Sequence, residues 1–195
     1  LAGIFYLESQ QNYQKALKYF NAIEEPSLEV LLYKGKAHYY LGHFEKAEWL
    51  LKPLAEQKHE KDVHLTALYL LADLFSLEQR FDQALAFYEQ YFQEGGKEVE
   101  KRLNFAKAFA GMMDWQSAVR EYEYAIEART LSDDDKIFYI DCLFRSGNTL
   151  SARDLIESLS NEGDSLSTLM RIKLLRLSLK VNVSEVFKKV LGSIG

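Results

Sequence analysis

The chain has 195 residues, a formal net charge of −5 at pH 7 and only two prolines. Because so little proline and no low-complexity linker interrupt it, we expect one elongated domain. Its single cysteine, Cys142, excludes an internal disulfide framework and lies in an apolar helical setting that predicts a packing role. No apolar run approaches the roughly 20 residues that a membrane-spanning helix needs. For the cellular location, the bacterial cytoplasm or periplasm is the working expectation.

A short pattern recurs along the whole chain. A large apolar or aromatic residue, two spacers and a small residue are followed four positions later by another large apolar residue, as in Phe44, Ala47 and Leu51. From the first copy to a weak sixth copy at Val186, the small residues are spaced by 31, 37, 34, 34 and 34 residues. This period predicts stacked repeats at about 1–26, 27–60, 61–96, 97–131, 132–163 and 164–195. The small residues of the five clearer copies are Ala16, Ala47, Ala84, Ala118 and Ala152.

The first half of each repeat has apolar residues at steps of three and four, which predicts a helix. A small residue again occupies one position in this half: Gly35, Ala72 and Ala106, with the larger Ile140 in the fifth copy. Two antiparallel helices approach closely only where a side chain at their crossing is small. Each repeat is therefore predicted to be a pair of antiparallel helices.

Short polar segments separate the predicted helix pairs. Ser27, Ser132 and Asp164 stand where helix N-caps are expected. The two irregular spacings, 31 and 37 residues, flank Pro53 and His59. We expect the connecting turn to change length there.

In these residues the chain resembles the tetratricopeptide repeat family, whose units are helix-turn-helix pairs of this period with small residues at these two positions. The resemblance extends over nearly the whole chain. It implies an all-α fold, a right-handed superhelical solenoid of about five to six antiparallel helix-turn-helix repeats. The chain departs from the family pattern in lacking a Trp early in the first helix and a Pro at the end of most units, so the repeats are degenerate.

No catalytic or metal-binding pattern stands out. His38 and His43 are five residues apart, as are His59 and His64, whereas two ligands on one helix face need a spacing of three or four. No glycine-rich phosphate loop is present. The acidic run Asp133–Asp135 lacks the ligand spacing of a calcium loop and predicts a helix start. We expect a noncatalytic protein with no cofactor and no metal.

The resemblance implies that the first helix of each pair lines a concave groove that can bind a protein or peptide. Some of the aromatic residues at these positions are expected to fill the core between units and others to meet a ligand, and Lys36 and Lys107 are the strongest candidates for partner contact. The candidate groove residues are Tyr33, Lys36, Tyr39, Tyr40, Tyr69, Asp73, Asn104, Lys107, Phe138, Asp141 and Phe144.

One subfamily binds the C-terminal carboxylates of chaperone tails through Lys, Asn and Arg on successive first helices. The corresponding positions here hold Leu32, Tyr33, Thr66 and Leu70, so that clamp is absent. From Arg171 onward six basic residues face one acid, Glu185, which is either a solvated surface or a docking surface for an acidic partner or anionic membrane face. Because basic residues are not spread over all the units, we expect no nucleic-acid binding.

We therefore predict a noncatalytic scaffold or adaptor that binds a partner protein, with complex assembly as its role. One alternative is a regulatory or sensor domain of a longer enzyme or signalling protein, since the chain opens on Leu1 and a natural start is expected upstream. The other is self-association through the N-terminal end, where Ile4, Phe5 and Leu7 also look poorly capped.

Overall fold

The computed structural model describes residues 2–128 and 131–161, together with residues 173, 176, 177 and 179. Helices and their connections account for the described chain, which contains no strand, and the predicted all-α helical-repeat solenoid is confirmed in these residues. No helix of the described part is both long and apolar enough to cross a membrane. The α-helices are α1 Ala2–Ile4, α2 Tyr13–Asn21, α3 Leu28–Tyr40, α4 Phe44–Leu54, α5 Lys61–Leu77, α6 Phe81–Gln93, α7 Val99–Gly111, α8 Trp115–Ala128, α9 Asp133–Arg145 and α10 Thr149–Asn161, and a π-helical turn, Phe5–Ser9, follows α1.

Two compact units make up the chain, Leu1–Lys101 and Arg102–Gly195, and the boundary between them falls inside α7. They are called here the N-terminal unit and the C-terminal unit. In the N-terminal unit α3 packs on α4, α5 packs on α6, and α5 also contacts both α3 and α4. In the C-terminal unit α9 packs against α8 and α10. The division of the chain into a single domain of six repeats stays a prediction.

The small residues of the repeat lie where the helices are closest. A Cβ added to Gly35 would stand 2.7 Å from Cδ2 of Leu51, a residue of α4 that is itself fully buried. Ile140 is fully buried too, although it is large. The alanines of the pattern are also inaccessible to solvent, with 0% exposure at each of Ala16, Ala47, Ala72, Ala84, Ala106, Ala118 and Ala152.

The spacing of 37 residues between Ala47 and Ala84 does not arise mainly from a longer connecting turn, as was expected. Pro53 lies within the last turn of α4 and His59 lies in the connection to α5, but α5 also begins four residues earlier, relative to Ala72, than α3 does relative to Gly35. As a result α5 has 17 residues, against 13 in α3, α7 and α9. Most of the insertion is therefore an extra helical turn and only a small part of it is connecting loop.

Glu94, at the C-terminal end of α6, holds this extra turn in place. Its carboxylate lies 2.7 Å from Nε2 of the buried His64 ring and accepts hydrogen bonds from Lys58 Nζ (2.7 Å) and Gln90 Nε2 (3.1 Å). The hydrogen bond from Lys58 is the largest influence that lowers the pKa of Glu94 to about 2, and Gln90 and His64 lower it further. The inserted segment is thus tied to the next helix by one ionised carboxylate.

Two predicted N-caps are confirmed. Ser27 Oγ accepts a hydrogen bond from the Val30 amide, and Ser132 Oγ accepts one from the Asp135 amide, each at the first turn of its helix. The third, Asp164, lies outside the described residues. The acidic run Asp133–Asp135 is the first turn of α9, as predicted.

Near the N-terminus, the prediction of poorly capped apolar residues is wrong for Leu7. Its side chain is 2% exposed and belongs to a core cluster with Leu17 and Phe20, on which Ile4 is partly buried. The π-helical turn directs Leu7 inward, and of the described residues in that prediction Phe5 alone is largely exposed. Leu1 lies outside the described residues. Cys142 is buried, and burial raises its pKa to about 12, which agrees with a packing role.

Candidate protein-binding surface

Six of the predicted groove residues lie on one surface of the N-terminal unit, formed by α3 and α5, which pack directly on each other. Helical spacing places residues three and four apart on the same face, so the side chains of each helix line up along it. This surface is called the α3–α5 face. Its members are Tyr33, Lys36, Tyr39, Tyr40, Tyr69 and Asp73.

Several tyrosines of the α3–α5 face lie close to Asp73. The hydroxyl of Tyr88, a buried residue of α6, donates a hydrogen bond to the Asp73 carboxylate. Burial raises the pKa of Tyr39 and of Tyr69 well above the ordinary value, and the nearby Asp73 carboxylate adds to the effect at both. These phenols therefore remain protonated at neutral pH and act as hydrogen-bond donors.

Exposure separates Tyr40 from its neighbours. Its ring is 48% exposed and stacks on Tyr13 of α2, with centroids 4.8 Å apart and planes 15° apart. Tyr39 and Tyr69 are only partly exposed, and Lys101 Nζ lies 3.7 Å from the centroid of the Tyr69 ring. Tyr39 and Tyr69 thus serve partly as packing between helices, while Tyr40 presents nearly half of its area to solvent.

A cavity of about 560 Å³ opens beside Tyr33 and Lys36 of the α3–α5 face. The buried side chains of Leu32 and Val63 and the ring of Tyr33 give it apolar walls, and Lys36 and Thr66 contribute polar groups. Tyr33 is held in place because its ring stacks on Phe20 and its hydroxyl donates a 2.9 Å hydrogen bond to Glu29. This space is called the α3–α5 cavity.

Lys36, which was expected to be accessible to a partner, is mostly buried. Its ammonium forms a 2.7 Å ion pair with Glu8 of the π-helical turn, and its side chain is 20% exposed. Lys107, in the C-terminal unit, also forms an ion pair, at 2.9 Å from Asp135, but its side chain is 45% exposed. Both ammonium groups therefore already have a carboxylate partner within the chain.

The other predicted groove residues belong to the C-terminal unit. Phe138 is half-buried, with its ring centroid 6.0 Å from that of Tyr122, and Asp141 accepts a 2.6 Å hydrogen bond from Arg145 Nε. Lys107, Phe138 and Asp141 line a second cavity, also of about 560 Å³. Asn104 and Phe144 are half-buried on α7 and α9, outside that lining.

Comparison with known proteins agrees with these helix pairs. Residues 32–97 match the family model described as tetratricopeptide repeat. Within this matched segment, which runs from α3 to just beyond α6, the chain carries degenerate tetratricopeptide repeats. Among curated protein sequences, none matches it.

Several solved tetratricopeptide repeat structures share the fold. A candidate kinesin light chain from Podosopora anserina, with nearly identical TPR-like repeats, is 17% identical with a TM-score of 0.67, over 88% of this chain and 97% of that one. A tetratricopeptide repeat protein from Parabacteroides merdae ATCC 43184 is 18% identical with a TM-score of 0.63, over 97% of this chain and 81% of that one. At such low identity the likeness shows the fold alone.

The turn between α3 and α4 brings together two histidines whose five-residue spacing places them on different faces of a continuous helix. His38 lies on α3 and His43 is the N-cap of α4, so the turn at Leu41 and Gly42 folds them onto each other, with their Nδ1 atoms 3.2 Å apart. The five-residue spacing did not reveal this contact because a turn between two helices separates His38 from His43. Burial, and then His43, lower the pKa of His38. Within the described residues no group of three metal-ligating side chains occurs, so the pair remains a two-residue contact.

Proposed function

We propose that this tetratricopeptide repeat chain is a noncatalytic scaffold that binds a partner protein through the α3–α5 face, in the assembly of a larger complex. Tetratricopeptide repeats are typically noncatalytic interaction modules, and this supports the general class. The observation that carries the specific proposal is the α3–α5 cavity, which lies next to a row of tyrosines on the first helices of two successive pairs.

The size and walls of the cavity suit side chains of a peptide. A volume of about 560 Å³ is within the range of roughly 300 to 1,000 Å³ that ligand sites occupy, and its apolar walls can take up an apolar side chain. Tyr40 adds a large exposed ring at little cost in conformational entropy, and its hydroxyl can hydrogen-bond to a peptide backbone. A partner would thus be anchored at two places along the face.

The electrostatics of this face favour binding over acid–base catalysis. A general acid or base works best with a pKa near the operating pH. The groups with strongly shifted pKa values here are tyrosines, and burial moves them away from neutral pH. The candidate residues of the C-terminal unit, Asn104, Lys107, Phe138, Asp141 and Phe144, are proposed as a further contact surface for the same class of partner.

Affinity capture from a lysate, quantified by mass spectrometry, tests this function with two matched variants. Tyr40→Ala removes the exposed ring of the α3–α5 face. Tyr19→Ala removes a ring of similar exposure, 44%, which stacks on Tyr6 as Tyr40 stacks on Tyr13 but lies on α2. We expect at least one protein retained by the wild type to be lost by Tyr40→Ala and kept by Tyr19→Ala. Equal recovery with both variants would place binding elsewhere on the chain.

A further inference from the structure

The α3–α5 cavity has a rim of carboxylates. Glu8, Glu29, Glu60 and Asp62 are all exposed and line it. They come from three separate elements: the π-helical turn, the first turn of α3 and the start of α5. Because α3 and α5 pack side by side, two helix starts that are distant in sequence lie at one opening.

Two basic residues, Lys36 and Lys61, also line the cavity. Lys36 is neutralised by Glu8 at 2.7 Å. Lys61 Nζ lies beside the turn after α6, 3.3 Å from where a Cβ on Gly95 would stand. No ion pair is formed within the described residues by the three remaining carboxylates, which are Glu29, Glu60 and Asp62.

Helix starts favour acidic residues in any protein, since the helix dipole places partial positive charge there. Glu29 and Asp62 are such residues, and so are Glu45 of α4 and Asp82 of α6. What distinguishes Glu29 and Asp62 is that they border a cavity that Leu32, Tyr33 and Val63 also line, whereas Glu45 and Asp82 do not line it. Carboxylates around a space lined in part by apolar side chains favour a ligand with an apolar group at its centre and cationic groups on either side.

We infer that the partner segment bound in the α3–α5 cavity is a basic peptide, with Lys or Arg residues flanking an apolar side chain that enters between Leu32 and Val63. This inference rests on the proposed function and names its partner chemistry. The apolar side chain supplies the buried contact area. The flanking cations meet Glu29, Glu60 and Asp62, and this charge pairing gives selectivity and speeds association more than it adds affinity.

Selection from a displayed library of random dodecapeptides, with the wild-type chain as bait, tests the inference directly. We expect the enriched peptides to carry a net positive charge and at least one large apolar residue. The most enriched peptide is then synthesised with a fluorescein label and titrated by fluorescence anisotropy. Its affinity for the wild type should fall as NaCl is raised from 50 to 300 mM, because exposed charges are screened over about 10 Å at 0.1 M salt.

Two double variants provide the matched comparison. Glu29→Gln with Asp62→Asn neutralises the first-turn acids of the cavity rim, and Glu45→Gln with Asp82→Asn neutralises the exposed first-turn acids of α4 and α6. Both remove two helix-start carboxylates, so both should lower thermal stability to a similar, small extent. The first should weaken binding of the peptide by about three- to tenfold, and the second by less than about twofold.

The outcomes separate this inference from the proposed function. Enriched peptides that are neutral or acidic, yet lose binding in Tyr40→Ala, would overturn the basic-peptide inference and leave the α3–α5 face as the binding site. Peptides whose binding is unchanged both in Tyr40→Ala and in the rim variant, or a library with no enriched peptide, would overturn both. Equal loss in the two double variants would also overturn the inference, since a general effect of helix-start charge would then account for it.

Discussion

The N-terminal and C-terminal units use similar helix pairs to carry different surfaces. In the N-terminal unit the first-helix positions hold four tyrosines, and the crossing position of α3 is Gly35, so close to Leu51 that no Cβ fits without movement. In the C-terminal unit the equivalent position of α9 is the buried Ile140, and the surface is held by ion pairs such as that of Lys107 with Asp135. The repeat thus sets where side chains stand, while their chemistry differs from one unit to the next.

Two helix starts, one in each unit, are stabilised in different ways. The start of α9 is stabilised locally, since Ser132 and Asp135 hydrogen-bond to each other within one turn. The extra first turn of α5 is stabilised at long range, by Glu94 of α6 on His64. A local cap leaves the helix start independent of its neighbours, whereas a contact across 30 residues makes the turn depend on the packing of the next helix.

The largest effect is expected from shrinking the crossing residue of the C-terminal unit. Ile140→Ala should lower the free energy of unfolding by about 2 to 5 kcal/mol, because a fully buried side chain is replaced by a cavity. Urea denaturation monitored by circular dichroism measures it. Leu150→Ala, a change at a side chain that is 73% exposed on α10, is the control and should stay within about 0.5 kcal/mol. A small effect at Ile140 would mean that α9 tolerates the small residue found at this position in the other pairs.

A smaller effect is expected from the link between α5 and α6. Glu94→Ala should cost about 1 to 3 kcal/mol at pH 7, because the buried His64 ring loses its hydrogen-bond partner. The pKa of Glu94 is lowered in the folded chain to about 2 from 4.5, so its contribution is fully present above 4.5 and is lost as pH falls toward 2. The difference in stability between wild type and variant should therefore shrink over that range.

Urea titrations at a series of pH values test this, with Glu89→Ala as a control. Glu89 is an exposed acid on the same helix, and its removal should change stability by less than about 0.5 kcal/mol. A stability difference for Glu94→Ala that stayed constant from pH 5 to pH 2.5 would show that the carboxylate does not stabilise the extra turn through its charge.

The smallest effects are expected at the two lysines first considered for partner contact. Lys36→Ala and Lys107→Ala should each cost at most about 1 kcal/mol, since both form ion pairs near the surface. The effect of Lys36→Ala should be the larger, because its side chain is 20% exposed against 45% for Lys107. Thermal melts at 0.05 and 0.5 M NaCl measure the loss of stability in both variants. A larger loss for Lys107→Ala than for Lys36→Ala would contradict this ranking.

Local signals in the sequence predicted much of the fold. The repeat of small residues indicated the helix pairs, and Ser27 and Ser132 marked helix starts, because capping depends only on the few residues that follow the cap. The extra turn of α5 was missed, since the spacing of 37 residues tells where residues were inserted into the pattern but not whether they form loop or helix.

The candidate site was less predictable for a related reason. The α3–α5 face follows from helical periodicity, but the exposure of Tyr40, compared with the partial burial of Tyr39 and Tyr69, depends on which neighbouring helices cover each ring. The contact of His38 with His43 was missed because it forms across a turn between two helices. Neither can be read from spacing along one helix.

By itself, the sequence determined the all-α helical repeat, the small residues at its crossings and the caps at two helix starts. Periodicity and capping act within a few residues along the chain, so they are visible without a structure. Only the tertiary structure decided that Lys36 is paired with Glu8 and that Glu29 and Asp62 meet around one cavity. Such contacts join residues about 30 positions apart, and the packing of α3 on α5 and on the helices around them brings these residues together.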